Sequence, residues 1–341
     1  MNAAKLTRRQ WLKWFGGTAA AAAGARLFGT PAAFAWSPAT TPRKRLLRVA
    51  QITDIHVQPE LRAGEGFAAC LRHIQSQPDK PSLILNTGDC VMDASKRDRT
   101  RTELQWKLWN DVLKAENSLP IEHTIGNHDV WGWNKKKSGT TGQEPRWGKQ
   151  YAMDELGLAK PYHSFDRGGW HFVALDSIHP FEDAFVPRVD DEQFAWLEAD
   201  LARTDPKTPT LVMSHVPIFS VTSFWSTGAD KNLEGGAQIT IARHAMHQDY
   251  RRLKDLFKRH PNVKACISGH MHFIDRADYM GVRYFCSGAV CGGWWKSDRN
   301  DECKPGYAML DLYDDGTVER EYVSYGWKLD PTGTGAPEDG A

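Results

Sequence analysis

The sequence predicts an α/β fold built around a mostly parallel, buried sheet. Short apolar runs alternate with amphipathic stretches between residues 46 and 125, which is the order β-α-β-α-β. Several of the apolar runs are followed closely by Asp, His, Asn or Gly. Residues at the carboxyl ends of the strands of α/β sheets commonly bind ligands. Near the C-terminus, a turn at Asp314-Asp315-Gly316 lies between two further apolar runs. This turn predicts that mainly antiparallel strands close the fold.

The first half of the predicted domain contains three strands separated by two helices. Each strand is a short apolar run that ends at polar residues. In the segments between the strands, apolar residues recur at spacings of three and four, which is the period of an amphipathic helix. In chain order these elements are strand 46–52, helix 66–77, strand 81–85, helix 100–117 and strand 120–125.

The second half combines further helices and strands with two long predicted loops. Residues 130–150 and 217–236 contain several Gly, Ser, Thr and Trp residues and have no regular period, so we expect loops beside the strand ends. The remaining segments have either the helical period or the short apolar runs typical of strands. They are strands 162–165 and 170–175, helix 192–201, strand 210–213, helix 247–260, and strands 263–267, 282–285, 307–313 and 318–325.

The first 35 residues resemble a twin-arginine export signal. Arg8-Arg9 precede an Ala- and Gly-rich segment, and Ala33-Phe34-Ala35 fits the small-x-small cleavage rule. The resemblance implies export to the periplasm by the twin-arginine machinery, after metals are inserted in the cytoplasm. It also implies that no stable membrane span remains once the signal is cleaved. A membrane anchor, a frayed helix or an uncleaved tether are the alternatives. Residues 36–45 are predicted to be a linker and residues 329–341 a disordered tail.

Charge and cysteine content exclude other functional classes. The chain of 341 residues holds 43 Lys and Arg against 42 Asp and Glu, and the acid-free segment 1–35 contributes the basic excess. The remainder is slightly acidic and gives no electrostatic case for binding a nucleic-acid polymer. The six cysteines have no Cys-x-x-Cys spacing, so they predict no zinc finger. Cys291 and Cys303 flank a loop, and the sequence leaves open whether they pair.

Five predicted strand ends carry side chains of the metal-ligand type. Any one of these motifs alone is weak, since a single Asp-x-His or His-x-His is more often a surface or core feature. Five such motifs, each at a strand end, instead indicate a metal site. Its mixed nitrogen and oxygen ligands suit Mn, Fe, Zn or Co. Asp89 follows Gly88 in a tight turn and is the candidate for bridging two metals. The motifs are Asp54-x-His56, Gly88-Asp89, Gly126-Asn127-His128-Asp129, His215 and Gly269-His270-x-His272.

These motifs, in this order, resemble the calcineurin-like metallophosphoesterase superfamily over residues 46–325. The resemblance implies a metallophosphoesterase domain at 46–328 with a two-sheet β-sandwich flanked by helices, in four layers αββα. It also implies two divalent or trivalent metal ions. The implied ligands of the first metal are Asp54, His56, Asp89 and His272, and those of the second are Asp89, Asn127, His215 and His270. His128 is implied as the group that protonates the leaving oxygen or stabilises the transition state, oriented by Asp129.

One position departs from the superfamily pattern. Many members have Asp or Tyr three residues after the bridging Asp, whereas this chain has Met92. The absence of Tyr argues against the purple acid phosphatase branch. Whether Asp93 replaces the missing acid is left open.

The sequence therefore predicts an exported phosphoesterase that hydrolyses small-molecule phosphate esters, with a preference for phosphodiesters. The expected chemistry is in-line attack by a hydroxide that bridges the two metals. A phosphomonoesterase is the nearest alternative, and a catalytically idle metal-binding envelope protein is a third, against which the complete motif set argues. Trp131, Trp133 and Trp225 lie in the predicted loops and are candidates for substrate contact; packing of the loops onto the domain is the equal alternative.

Overall fold

The computed structural model describes residues 43–226, 240–296 and 303–329, with only the backbone at Trp225 and Ser226. The predicted signal at 1–35 lies outside the described residues, as do most of the predicted linker at 36–45 and most of the tail at 329–341. Among the helices of the described ranges, none has the length and apolar character needed to span a bilayer.

The described residues form helices and strands whose order agrees with the predicted alternation. The strands are β1 (Arg45–Ile52), β2 (Ile84–Asn86), β3 (Ile121–His123), β4 (His163–Arg167), β5 (Trp170–Ala174), β6 (Ile178–Phe181), β7 (Ala184–Pro187), β8 (Thr210–Met213), β9 (Val263–Ser268), β10 (Ile274–Tyr279), β11 (Val282–Ser287), β12 (Gly306–Tyr313) and β13 (Val318–Ser324). The helices are α1 (Ala63–Gln75), α2 (Arg99–Glu116), α3 (Lys135–Ser138), α4 (Lys149–Leu156), α5 (Asp191–Arg203), α6 (Ser223–Ser226) and α7 (Tyr250–Arg259), with a 3-10 turn at Arg243–Ala245.

Two mixed sheets form the centre of the fold. The first has the order β13-β12-β1-β2-β3, and β1, β2 and β3 run parallel. The second has the order β10-β11-β9-β8-β5-β4, and its four central strands run parallel. Strands β6 and β7 form a separate hairpin. The parallel strands of each sheet bring their carboxyl ends to one edge, where the loops carrying the predicted ligands begin.

Alternation along the strands explains why the sheets are covered on both faces. In β1, Leu47 and Val49 belong to the core between the sheets, whereas Ala50 and Ile52 pack in the core beneath α1 and α2. Side chains of successive strand residues point to opposite faces, so an apolar run fills both cores. Burying each Leu, Ile or Val stabilises the fold by about 1.5–3 kcal/mol relative to leaving it exposed.

The second sheet is covered in the same way. Leu211 and Met213 of β8 face the core between the sheets, and Val212 packs in a third core with Leu197 of α5 and Leu253 of α7. The layers are therefore helix, sheet, sheet, helix. The predicted two-sheet β-sandwich flanked by helices is confirmed.

The structure also contains elements that the sequence patterns did not indicate. The hairpin β6–β7 has short strands that each include a proline, and β10 is an exposed edge strand of sequence IDRADY. Neither has the apolar alternation on which strand prediction depends. The predicted loop at 130–150 contains the short helix α3, capped by the side chain of Asn134, and the start of α4. The prediction of an irregular loop there is therefore wrong in part.

A buried histidine beside the sandwich predicts a pH-dependent stability. Burial opposes a charge on His171, but hydrogen bonds to Asp200 and Asp166, at 2.9 and 2.7 Å, outweigh it and raise the pKa of the imidazole. A raised histidine pKa stabilises the fold fully below the unfolded pKa of about 6.5 and loses this effect as pH rises through the folded pKa.

His171→Gln should therefore lower the free energy of unfolding by roughly 1.5 kcal/mol near pH 6 and by clearly less near pH 9. Urea unfolding at both pH values, with the partly exposed His260→Gln as control, measures this. An equal loss at both pH values would show that the ion pair does not stabilise the fold.

Candidate active site

The candidate site lies where the loops leave the carboxyl ends of the parallel strands. Asp54 and His56 follow β1, Asp89 follows β2, and residues 127–129 follow β3; His215 follows β8, and residues 270–272 follow β9. Asp54, His56, Asp89, His270 and His272 all have φ between +47° and +69°. Non-glycine residues adopt this left-handed conformation at a cost of order 1 kcal/mol or more, and such residues cluster at functional sites.

Three side chains form the first candidate metal position. The Nε2 atoms of His56 and His272 lie 3.1 Å apart, and Oδ1 of Asp54 lies 3.4 Å from Nε2 of His272. Ligand atoms that surround one cation at about 2.0–2.2 Å lie roughly 3.0–3.5 Å from each other. These separations therefore fit a shared cation.

Asp89 connects this position with a second one. Its Oδ2 lies 3.6 Å from Nε2 of His56 and 3.2 Å from Nε2 of His215. Nε2 of His215 also lies 3.0 Å from Oδ1 of Asn127, and a ring nitrogen of His270 lies within 4.8 Å of His215 and Asp89. One carboxylate oxygen thus lies between the two groups of ligands. This is the position that a bridging ligand requires.

In two of the histidines, a hydrogen bond at Nδ1 leaves Nε2 available for a metal. The Nδ1–H of His215 donates to the carbonyl of Thr87 at 2.8 Å, and the Nδ1–H of His272 donates to the carbonyl of Gly292 at 3.1 Å. These main-chain acceptors fix the tautomer, so the Nε2 lone pairs face the site. The structure thereby brings together every predicted ligand: Asp54, His56, Asp89, Asn127, His215, His270 and His272.

The electrostatics of the site also fit cation binding. Burial lowers the pKa of His56, and burial together with the neighbouring His215 lowers the pKa of His270 to about 3, so both rings are neutral. Burial likewise opposes a proton on His215, but the carboxylate of Asp89 outweighs it and raises the pKa to about 9. The buried carboxylates of Asp54 and Asp89 therefore favour positive charge in the site; without a metal that charge includes a proton on His215, and metal binding would release this proton.

His128 lies beside the first metal position, and its ring is held by a main-chain group. The imidazoles of His56 and His128 meet edge-on with centroids 4.8 Å apart. The Nδ1–H of His128 donates to the carbonyl of Met92 at 2.6 Å. The prediction that Asp129 orients this ring is therefore wrong, and Met92, the residue at the divergent position, supplies the acceptor instead.

Asp129 has a different role in the structure. Its Oδ2 accepts the backbone N–H groups of Asp89 and Gly126, and its Oδ1 accepts those of Cys90 and Val91, at distances of 2.7–3.3 Å. The buried carboxylate thus fastens the loop after β2 to the loop after β3. Asp93, the other acid considered at this position, accepts from Ser95 and the backbone N–H of Lys96 and so caps a turn.

Gly269 allows two ligand loops to approach closely. A Cβ at this position would overlap Oγ1 of Thr53 and Oδ2 of Asp54. Asp54 is itself held there, because both of its oxygens accept the backbone N–H of His270. Two motifs that are distant in sequence therefore meet through a residue without a side chain.

We expect Gly269→Ala to displace Asp54 and to lower metal content at the first position, with at least a hundredfold loss of activity, since misplacing a reacting group by 1 Å costs about 10²-fold. Metal content and turnover of the full-length variant measure this. Gly64→Ala is the matched control, because its Cβ would meet only the flexible side chain of Leu108. Normal metal content in Gly269→Ala would contradict the expectation.

The predicted substrate-contacting tryptophans lie elsewhere. Trp131 and Trp133 are 2% and 8% exposed and pack in the core with α1, α2 and α4, so their assignment to the substrate is wrong. The indole Nε1–H of Trp131 donates to the carbonyl of Arg97. The side chain of Trp225 lies outside the described residues. A single tryptophan in a loop shows no pattern that distinguishes packing from binding.

Two residues not predicted as site members lie against the metal ligands. The half-buried indole of Trp294 packs on the rings of His56 and His272, with centroids 4.2 and 4.5 Å away. The buried thiol of Cys291 lies 3.8 Å from Nδ1 of His272, on the side of the ring away from Asp54. Both Cys291 and Cys303 are free thiols in the structure. Neither Trp294 nor Cys291 belongs to a spaced motif, so the sequence contained no signal for them.

Comparison with known proteins agrees with this geometry. Residues 47–273 match the family described as calcineurin-like phosphoesterase. A 3′,5′-cyclic-nucleotide phosphodiesterase of Nostoc sp. is 28% identical over 304 residues, which cover 84% of this chain and 97% of that protein. A 3′,5′-cyclic adenosine monophosphate phosphodiesterase of Haemophilus influenzae is 23% identical over 82% of this chain and 90% of its own. A dimetal phosphatase of Danio rerio superimposes with a TM-score of 0.54 at 18% identity, covering 83% and 100% of the two chains. This superposition shows the same fold.

Proposed function

This chain belongs to the calcineurin-like phosphoesterase family, and we propose that it hydrolyses small-molecule phosphodiesters, with 3′,5′-cyclic nucleotides as the first substrate class to test. The family and the relatives identify a metal-dependent phosphoric ester hydrolase. The observation that carries the proposal is the position of Asp89, whose Oδ2 lies between the imidazoles of His56 and His215. The choice of a diester is supported by the relatives named as cyclic-nucleotide phosphodiesterases.

Different residues of the chain have different roles in hydrolysis. Asp89 would contribute its carboxylate to both metals, and the other six ligands would complete the two positions. The ligand types suit Mn, Fe, Zn or Co. When bound, these ions would supply Lewis acidity toward the phosphate oxygens and an activated water. With the Nδ1–H of His128 held by the carbonyl of Met92, a second proton on Nε2 can pass to the departing oxygen, and the ring is left neutral with its proton on Nδ1. The acceptor on Nδ1 also stabilises the imidazolium that this step requires.

Substrate class is tested by turnover of paired esters. The full-length protein is loaded in turn with Mn, Fe, Zn or Co and assayed with 3′,5′-cyclic AMP, bis(p-nitrophenyl) phosphate and p-nitrophenyl phosphate. We expect kcat/KM for a diester to exceed that for the monoester at least tenfold. Turnover of the monoester alone would replace the substrate class with phosphomonoesters. Two bound metals without turnover of any ester would favour the catalytically idle alternative.

We also propose that the protein is exported through the twin-arginine route, because Arg8-Arg9 and Ala33-Phe34-Ala35 precede the matched family residues. Cell fractionation of the wild type and of the double variant R8K/R9K tests this. Periplasmic wild type and retained variant are the expected result. The same compartment for both proteins would contradict twin-arginine export.

A further inference from the structure

A turn at residues 288–296 contacts the candidate metal site although it lies after the matched family residues, which end at 273. The turn follows β11, and Trp294 within it has a φ of +62°. This left-handed backbone is costly for a bulky residue and persists only where the surroundings impose it. The turn is therefore held in place by its contacts.

Main-chain hydrogen bonds fasten this turn to the loop that carries Asp54 and His56. The N–H groups of Val290 and Cys291 donate to the carbonyls of Thr53 and Asp54, at 2.9 and 3.2 Å. The buried indole of Trp295 extends the attachment, because its Nε1–H donates to the carbonyls of Ile55 and His56. The backbone on which Trp294 stands is thus fixed relative to the first metal position.

The turn also contacts the imidazoles themselves. The carbonyl of Gly292 accepts the Nδ1–H of His272 at 3.1 Å. The indole of Trp294 stacks on that ring at an interplanar angle of 24°, lies at 38° to the ring of His56, and approaches the ring of His128 to 5.4 Å. A single indole therefore contacts both histidines of the first metal position and the proposed proton donor.

We propose that Trp294 is a positioning residue that fixes the rings of His56 and His272 for the first metal and the ring of His128 for proton transfer. Among the described residues, the ring contacts of Trp294 are with His56, His128 and His272, and the rings of His215 and His270 at the second position contact other side chains. Loss of the indole should therefore weaken one metal and leave the other. The proposal rests on the two-metal site of the proposed function but not on the identity of the substrate.

Metal titration of the full-length chain tests the proposal without any substrate. Apoprotein is titrated with Zn²⁺ against a chromophoric chelator for the wild type, Trp294→Ala and Trp294→Phe. We expect two sites in the wild type, and in Trp294→Ala a loss of roughly ten- to a hundredfold in affinity at one site only, the range typical of outer-shell ligand partners. Trp294→Phe should restore most of the affinity, because a phenyl ring can still stack on the imidazoles.

The matched control is Trp196→Ala, which removes a half-buried indole of α5 that packs on Tyr162 at 4.8 Å, away from the metal ligands. This control should bind both metals normally. Unchanged affinities in Trp294→Ala, or equal weakening of both sites, would overturn the proposal, the latter by showing a general loss of structure. Failure of the wild type to bind two metals would instead refute the two-metal site itself.

Kinetics separate positioning from substrate contact. With both metals saturating, Trp294→Ala should lower kcat for 3′,5′-cyclic AMP, whose leaving group is an alkoxide, at least tenfold and leave KM within about threefold, because the indole acts through the ring of His128. A raised KM with normal kcat would show that Trp294 binds the substrate directly and would overturn the positioning role.

Discussion

His128→Ala is expected to lower kcat by about 10²- to 10⁴-fold, the range for loss of a general acid, while both metals remain bound. A ring nitrogen of His128 lies within 4.8 Å of ligand atoms of His56 and Asp89, but we expect neither metal to need this ring, because seven other side chains supply the ligands of the two positions. The side chain is also partly exposed, so removing it leaves no large buried cavity. The loss should therefore appear in turnover and not in metal content.

The leaving group distinguishes proton donation from general charge stabilisation. A proton donor matters most when an alkoxide departs and least when the departing oxygen is already stable as an anion. The defect of His128→Ala should thus be larger with 3′,5′-cyclic AMP than with bis(p-nitrophenyl) phosphate, measured as the ratio of kcat to that of the control His260→Ala. Equal defects with both esters would show that His128 stabilises charge and does not donate the proton.

Asp129→Ala should have the largest effect on stability of any single substitution in the site, lowering the free energy of unfolding by roughly 4 kcal/mol. The carboxylate is fully buried and accepts four backbone N–H groups from two loops. Each buried donor left without an acceptor costs about 1–3 kcal/mol, and water entering the space recovers a part. Because Asp89 lies on one of these loops, metal binding should weaken at both positions.

Urea unfolding of the apoprotein and metal titration measure these two effects. Asp129→Asn is the matched variant, since it keeps one acceptor oxygen of the same shape and should show an intermediate loss. Asp93→Ala serves as a control, because that carboxylate caps a turn outside the metal ligands. A stable Asp129→Ala variant with normal metal content and reduced kcat would contradict this expectation. It would support the interpretation based on the sequence, in which Asp129 orients His128.

Local sequence patterns were enough to predict the helices and strands and the residue types of the site. The strands and helices have the periods of two and 3.6 residues that burial on one or both faces imposes, so β1, β2 and α1 could be predicted within about one turn. The ligands could be predicted because metal chemistry restricts the residue types, and because parallel strands deliver their carboxyl ends to one edge. These rules depend only on residue type and on the few preceding residues. Asp54, Asp89 and His215 each satisfy them, because each follows a short apolar run within a few residues.

The contacts between individual side chains, in contrast, follow from the folded chain and not from local patterns. Trp131 and Trp294 both lie in aromatic segments without a period, yet the first is buried in the core and the second stacks on His56, 238 positions earlier in the chain. Asp129 is adjacent to His128 in sequence but directs its carboxylate to the loop after β2. The physical reason is that hydrogen bonding and packing satisfy buried groups through whichever neighbours the fold brings near, and no local pattern records those neighbours.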